Sequence, residues 1–532
     1  MTSARSAKAM AFATLTSRGL GFVKATLLIL AIGGTSSNVG GQAFDVAISV
    51  PMQLYGFIAG GVLGAILVPQ IVVALHEGKD GAERLDRLLT ATVVVGGLIT
   101  VAATLAAPIL VWIYAAKWSA EWLGLATTMA YWCIPQIFFF IVYAVIAQML
   151  NAREVFGLPA WAPALSNVVA IIGIGIFMVV LPSGLGDTNS WNPTMIAVLC
   201  GTATLGVALQ ALILIRPLRN AGFDFRIRWG VKGLGNMSRV AFWAFLGVAS
   251  GQFAYVAVSN VAANAGQTLN SLRIVGPSIN SYSSAYLLVL VPHAVATVSL
   301  ATAMFTRMSR SSHERDFVEV ERNLRRTNAM VMYVTFGVTA VFLVAGPLIT
   351  QVLWQTPVIG TVVQPLALGL VGFGGSYIVG RASYAMKDAV SPFITQALIA
   401  VVSTVGAIMA GVLLPPQLVV LGVASAVSVA NLAGWGAAHV LFIRRLRANA
   451  PTDFGKKPDR ARGMAVYVRM IIATVLASAV GFVVANLVGA ASLNSFVSMV
   501  VVVGVVGVIY TAAAWLLGDR HLNEVAMTLR RR

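Results

Sequence analysis

Apolar residues run along the chain in long stretches, and short polar or basic segments separate them. Because a membrane-spanning helix needs about 20 mostly apolar residues, each stretch predicts one such helix. We predict about 14 spanning helices by this length criterion. Their approximate bounds are residues 7–32, 43–75, 88–114, 123–150, 160–181, 195–215, 240–263, 281–306, 330–353, 361–380, 393–414, 418–443, 468–488 and 495–517.

Composition supports the same fold class. Of the 532 residues, 58% are hydrophobic and only 10% are charged, which excludes an ordinary soluble domain and predicts an all-α polytopic membrane protein. The two cysteines, Cys133 and Cys200, lie in apolar stretches without metal-ligating neighbours. We therefore expect them to pack in the core, with no disulfide framework and no metal site.

The formal net charge of +18 would suggest nucleic-acid binding in a soluble protein. Here Lys and Arg concentrate in every second loop, and the loops between hold only Lys117 and Arg273. Because basic loops stay in the cytoplasm, the charge predicts topology, with both termini cytoplasmic. No aromatic and basic platform accompanies it, so we expect no nucleic-acid partner.

The third and ninth predicted helices resemble each other without a gap, since Arg87 aligns with Arg326 and Pro108 with Pro347. The segments "NAREVFGLPAWAP" and "GRASYAMKDAVSP" also correspond loosely. Two repeats of six helices would share one orientation, with the site between them near mid-membrane. We predict two pseudo-symmetric six-helix lobes followed by two C-terminal helices and a basic tail, bounded at residues 1–220, 221–447 and 448–532.

Two cations interrupt the first predicted helix, "SRGLGFVKATLLILAIGG". Arg18 and Lys24 lie about 9 Å apart along a helix axis and on neighbouring faces, while Ser17 shares a face with Lys24. Arg18 could instead extend to the headgroups, but Lys24 lies too deep for that. Since ionisable groups inside a membrane mark functional sites, we expect both cations to line a polar cavity.

Other polar groups lie on the second and seventh predicted helices. Asp45 is consistent with a solvated helix end, a counter-ion or a coupling-ion ligand. Gln252, Tyr255 and Ser259 form a stripe at helical spacing, and Asn260 continues it. Such a stripe either joins helices or contacts substrate, so these residues are candidates for lining the cavity.

Prolines and glycines mark candidate hinges or close helix contacts. Gly60 and Gly61 lie in "GFIAGGVLGAILVPQ", which contains a small-xxx-small pattern. Pro51 in the second helix resembles Pro292 in the eighth, and His293 follows as either a packed neutral residue or a proton relay. The chain has no phosphate-binding loop, nucleophile elbow or metal-spaced cluster, so we predict no enzyme, catalytic residue or cofactor.

Three motifs resemble one known family. "SRGLGFVK", "GGVLGAILVPQ" and especially "LNAREVFGLPAWAPALSN" at residues 150–167 are similar to the MurJ (MviN) family of lipid II flippases in the MOP exporter superfamily. The resemblance implies two six-helix lobes in a V, a cationic cavity lined by the first, second, seventh and eighth helices, and a lipid-tail groove at the last two. It also implies movement of lipid II between leaflets, by alternating access, in peptidoglycan synthesis.

The chain departs from the family pattern at several cavity positions. Arg18 falls on the family's essential arginine, and Lys24 replaces a second arginine, keeping charge but losing bidentate geometry. Gln42 stands in place of the family's aspartate, one turn before Asp45. Basic residues that the family often has in the second and eighth helices are missing. Arg18 and Lys24 are therefore our candidates for binding the pyrophosphate.

The resemblance also sets the expected partners and location. These are lipid II or a related polyprenyl-pyrophosphate glycan, membrane lipids and cell-wall synthesis proteins, at a bacterial cytoplasmic membrane. By family analogy a coupling ion or the membrane potential drives transport, without an assigned residue. The alternatives are an exporter of another polyprenyl-linked glycan or small amphiphile, similar to MATE or polysaccharide exporters, and a membrane enzyme or scaffold of envelope synthesis.

Overall fold

The fold is all-helical throughout the part of the chain that the structure, a computed structural model, describes. That part comprises residues 2–59, 70–71, 74, 78–180, 187–223, 225–230, 239–449 and 460–517, without the side chains of 2–9, 11, 78–80, 449 and 460–464. Within it, 13 helical segments are long and apolar enough to cross a membrane. The second predicted span, 43–75, is a continuous helix as far as residue 59. The polytopic membrane class is confirmed.

The helices fall into two compact units, residues 1–280 and 281–532. The described helices of the first unit are α1 (Thr2–Ile32), α2 (Val39–Ile58), α3 (Gly78–Leu105), α4 (Ala107–Tyr114), α5 (Ala120–Cys133), α6 (Gln136–Ala152), α7 (Gly157–Val180), α8 (Pro193–Ile196), α9 (Thr202–Leu212), α10 (Ile215–Asn220) and α11 (Arg239–Ser271).

The second unit begins inside α12 (Ile279–Pro292). Its further described helices are α13 (Val298–His313), α14 (Phe317–Trp354), α15 (Val358–Ala385), α16 (Val390–Leu413), α17 (Pro416–Asn449), α18 (Arg460–Ala490) and α19 (Ser495–Leu516). The predicted lobe boundaries at residues 220 and 447 stay a prediction.

Several predicted helices are interrupted where the backbone chemistry requires it. Pro108 lies in the first turn of α4 and Pro135 precedes α6, so each span is two helices rather than one. A proline has no N–H for the preceding turn and fits best in a first turn. Wider π turns follow at residues 197–201 and, after Pro292, at 293–297. Helix α11, in contrast, continues eight residues beyond its predicted end at residue 263.

In the first unit, α1 packs mainly along α7, and α2 packs against α5 and α11. Helix α7 also packs against α9, and a small residue allows this contact, since a Cβ added at Gly173 of α7 would lie 1.9 Å from Thr202 Oγ1 of α9. Close approach through small side chains is typical of membrane helix pairs. The candidate site residues of α1, α2 and α11 therefore belong to one compact unit.

In the second unit, α15 packs against α14 and α17, and the two C-terminal helices pack on α14. Tyr510 of α19 donates its hydroxyl hydrogen to the main-chain oxygen of Tyr333, at 2.8 Å. A Cβ at Gly337, one turn along α14, would lie 2.8 Å from the Tyr510 ring. The glycine therefore gives the tyrosine room to cross α14.

The loose sequence correspondence between the two loops has a structural counterpart. Glu154, after α6, and Lys387, after α15, both adopt the left-handed conformation, with φ of 59° and 58°. In each turn the next residue donates its N–H to a carbonyl five residues earlier, at 2.9 Å, which is a Schellman cap. Pro159 and Pro392 then occupy the third position of the following helix. The two turns share one local architecture.

Candidate functional site

Helix α1 carries both predicted cations. Arg18 is exposed, while Ser17 and Lys24 are half-buried. Within the described part of the chain, Lys24 forms no hydrogen bond or ion pair. A lysine ammonium inside a membrane helix requires a compensating anion. The geometry of α1 is therefore suited to binding an anionic group of a ligand.

Helices α2 and α11 run antiparallel and share a polar seam. The hydroxyl groups of Ser49 and Tyr255 lie 2.9 Å apart and are hydrogen-bonded. Towards the end of α2, a Cβ added at Gly56 would lie 2.0 Å from Nε2 of Gln252. Any larger residue at position 56 would require that amide to move. Gln252 and Tyr255, both predicted to line a cavity, therefore contact α2.

The C-terminal part of the predicted α11 stripe has a structural role. Asn260 Nδ2 donates to the main-chain oxygen of Ile113 at 3.0 Å, and its Oδ1 accepts from Asn264 Nδ2 at 2.8 Å. Asn264 in turn accepts from the Lys117 backbone N–H at 3.2 Å. These bonds join α11 to the end of α4. Ser259 is buried, and its Oγ has no hydrogen-bond partner among the described residues.

The remaining candidates of the second predicted helix are placed as follows. Asp45 is half-buried on α2, and Pro51 is buried within α2, which continues through it. Gly60 and Gly61 lie outside the described residues. The role of Asp45, and of the glycines as a hinge, stays a prediction.

A buried hydrogen-bond cluster at the start of α2 was not predicted from the sequence. Ser36 is fully buried: its N–H donates to Gly276 O at 2.9 Å, its Oγ donates to Ile274 O at 2.8 Å, and its Oγ accepts from Gly276 N at 2.9 Å. Gln42 Nε2 donates to Ser36 O at 3.0 Å. Asn280 Nδ2 donates to Gly33 O at 2.6 Å. Together these bonds tie the α1–α2 turn to the segment after α11.

Gln42, which the sequence resemblance aligns with a family aspartate, is fully buried in this cluster. Its Oε1 has no hydrogen-bond partner among the described residues, and a Cβ at Gly266 would lie only 2.1 Å from it. A neutral amide can be buried here at lower free-energy cost than a carboxylate. The position therefore serves packing between the turn and α11 in this chain.

His293 lies in the second unit, in the π turn that follows Pro292. Its ring is buried against two aromatic rings, with centroids 4.3 Å from Phe373 and 5.3 Å from Tyr377. Nδ1 has no hydrogen-bond partner among the described residues. This is the environment of a packed histidine; the proton-relay role stays a prediction.

Metal-ligating side chains are dispersed over the described residues. No group of three or more His, Cys, Asp or Glu residues is placed to hold an ion there. Cys133 and Cys200 are buried and free, as packing in the core requires.

A family model described as the lipid II flippase MurJ matches residues 35–504. The chain belongs to the MurJ family of lipid II flippases. It is 25% identical over 443 residues to the probable lipid II flippase MurJ of Thermotoga maritima, which covers 82% of this chain and 84% of that protein. It is 23% identical over 389 residues to the probable lipid II flippase MurJ of Synechocystis sp., covering 69% and 71%.

Solved structures show the same fold. A lipid II flippase MurJ in an inward closed conformation matches 95% of this chain and 98% of its own, with a TM-score of 0.73 and 17% identity. An inward-facing MATE transporter of the MOP superfamily matches 82% and 96%, with a TM-score of 0.66 and 16% identity. The MurJ family model begins after α1, so the roles of Arg18 and Lys24 stay a prediction.

Proposed function

We propose that this protein translocates lipid II, the lipid-linked peptidoglycan precursor, from the inner to the outer leaflet of a bacterial cytoplasmic membrane. The observation that carries the proposal is the MurJ family match over residues 35–504. The protein acts as a transporter that makes and breaks no covalent bond, works by alternating access, and has both termini in the cytoplasm.

Arg18 and Lys24 engage the pyrophosphate of the substrate. A pyrophosphate carries several negative charges, and its passage through hydrocarbon requires cations along the way. Lys24 supplies a charge that no described residue neutralises. The basic cytoplasmic loops are the surfaces that we expect cell-wall synthesis proteins to bind.

Depletion in the native cell tests the function. We expect lipid II to accumulate in the inner leaflet, where an impermeant probe added to spheroplasts cannot reach it. Lipid II that continues to reach the outer leaflet at the normal rate after depletion would rule the proposal out.

The main alternative is export of another polyprenyl-linked glycan or a small amphiphile. Arg18→Ala tests the proposal against this alternative, because it removes a charge through which we propose that lipid II is moved. Unchanged lipid II translocation in this variant would favour the alternative. Lys117→Ala, which removes an exposed loop cation in the same unit, is the matched control and should translocate normally.

A further inference from the structure

The motif at residues 150–167 ends in an asparagine that reaches across to the helix of the two cations. Asn167, on α7, donates a hydrogen bond from Nδ2 to the main-chain oxygen of Ser17, at 3.0 Å. The Ser17 carbonyl and the Arg18 N–H belong to the same planar peptide group. The bond therefore fixes α1 at the residue that bears its first cation.

Local sequence on α1 leaves room for this bond. In the helix, the Ser17 carbonyl already accepts the N–H of Gly21, and its second lone pair is available to the asparagine. A Cβ added at Gly21 would lie 3.5 Å from Asn167 Nδ2. Alanine would fit at position 21, whereas a longer side chain would compete with the amide for its space.

An aromatic contact also joins α1 to α7. Near the start of α1, Phe12 and Trp161 meet edge to face with centroids 6.0 Å apart. Apolar attraction is non-directional, while a hydrogen bond requires a specific direction. The bond from Asn167 therefore favours one rotation of α1 on α7.

Rotation of α1 matters because its cations extend from particular faces. Each residue turns a helix by about 100°, so a shift of register by one residue would direct Arg18 and Lys24 elsewhere. We propose that Asn167 is a positioning residue, which sets the rotation and height of α1 and thereby the direction of its two cations. Its effect on transport rests on the proposed function, while its effect on α1 does not.

The test measures the position of α1 separately from transport. Gly19, beside Arg18, is exposed, and no other heavy atom lies within 4 Å of a Cβ built there. Gly19→Cys therefore introduces an accessible thiol, and the native cysteines are buried. The rate of maleimide labelling at this cysteine is compared among Asn167→Leu, Asn167→Gln and the unmodified asparagine. Asn220→Leu, at an exposed asparagine that ends α10, is the matched control.

We expect Asn167→Leu to change the labelling rate severalfold and, with position 19 left as glycine, to lower lipid II translocation severalfold. Asn167→Gln, which keeps the amide donor, should restore part of both, and Asn220→Leu should alter neither. The melting temperature should change little, because hydrogen bonds between membrane helices contribute little to folding free energy.

An unchanged labelling rate in Asn167→Leu would overturn the positioning role, whether or not transport falls. A changed rate that Asn167→Gln does not restore in any part would also overturn it, because the amide donor would then be irrelevant. If the unmodified protein moves no lipid II, the proposed function fails, and the labelling rates still decide the role of Asn167.

Discussion

Ser36→Ala should destabilise the first unit more than the same substitution at the neighbouring Ser37 does. The substitution removes only Oγ, so the backbone bond from Ser36 N–H to Gly276 O remains. Two bonds are lost, one donated to Ile274 O and one accepted from the Gly276 N–H. Ser36 and Gly276 are both buried, so water cannot replace the missing oxygen.

The expected magnitude follows from these two bonds. A buried N–H left without an acceptor raises the free energy of the folded state by about 1–3 kcal/mol, and loss of the second bond adds about 1 kcal/mol. The free energy of unfolding should therefore fall by about 2–4 kcal/mol. At about 2 °C for each kcal/mol in a large domain, the unfolding midpoint should fall by roughly 4–8 °C.

Thermal unfolding of the purified protein in detergent measures this difference. Ser37→Ala is the control, because Ser37 is exposed and its hydroxyl bonds, among the described residues, only to Thr35 Oγ1, at 2.8 Å. Its effect should stay within about 0.5 kcal/mol, as for other surface substitutions. Equal midpoints for the Ser36 and Ser37 variants would refute the reasoning that the buried cluster stabilises the unit.

Two further predictions concern the same unit. Gly266→Ala should lower the unfolding midpoint, since its Cβ would overlap the buried glutamine amide of α2, while Gly251→Ala on the same helix meets no atom within 4 Å and should leave the midpoint unchanged or raise it; equal shifts would contradict this. Asp86→Ala should speed chymotryptic cleavage within residues 225–230. Asp86 Oδ1 accepts the backbone N–H of Arg226, at 3.2 Å, and the substitution removes this bond. Cleavage no faster than in Asp187→Ala, an exposed loop carboxylate, would exclude this role.

Features set by local sequence were predictable. Apolar length identified the spanning helices, and the residues 150–167 motif identified the family that the comparison with known families then confirmed. The helix breaks at Pro108 and Pro135 follow from proline chemistry, although apolar length alone predicted a continuous helix at each of them. The observed helix bounds differed from the predicted ones where a helix continues through polar residues, as in α11, which reaches Ser271.

Features that depend on distant partners were not predictable. Ser36 and Gly276 are separated by 240 residues, and their segments have only the polar, glycine-containing character of ordinary loops. Asn260 shares a stripe with Gln252 and Tyr255 in the sequence, but only the neighbouring helix shows that it bonds to Ile113. Polar residues at helical spacing in the sequence identify a polar face of the helix, whereas packing determines which neighbouring helix that face contacts.

Reconstitution into liposomes tests the central claim most directly. The protein is placed in vesicles that contain labelled lipid II, and an impermeant reagent that destroys the label is added outside. Transfer between leaflets is measured as the loss of label from lipid II that was initially in the inner leaflet. The account predicts transfer with the unmodified protein and with Lys117→Ala, and little transfer when Arg18→Ala and Lys24→Ala are combined. Transfer by the double variant at the unmodified rate would contradict it.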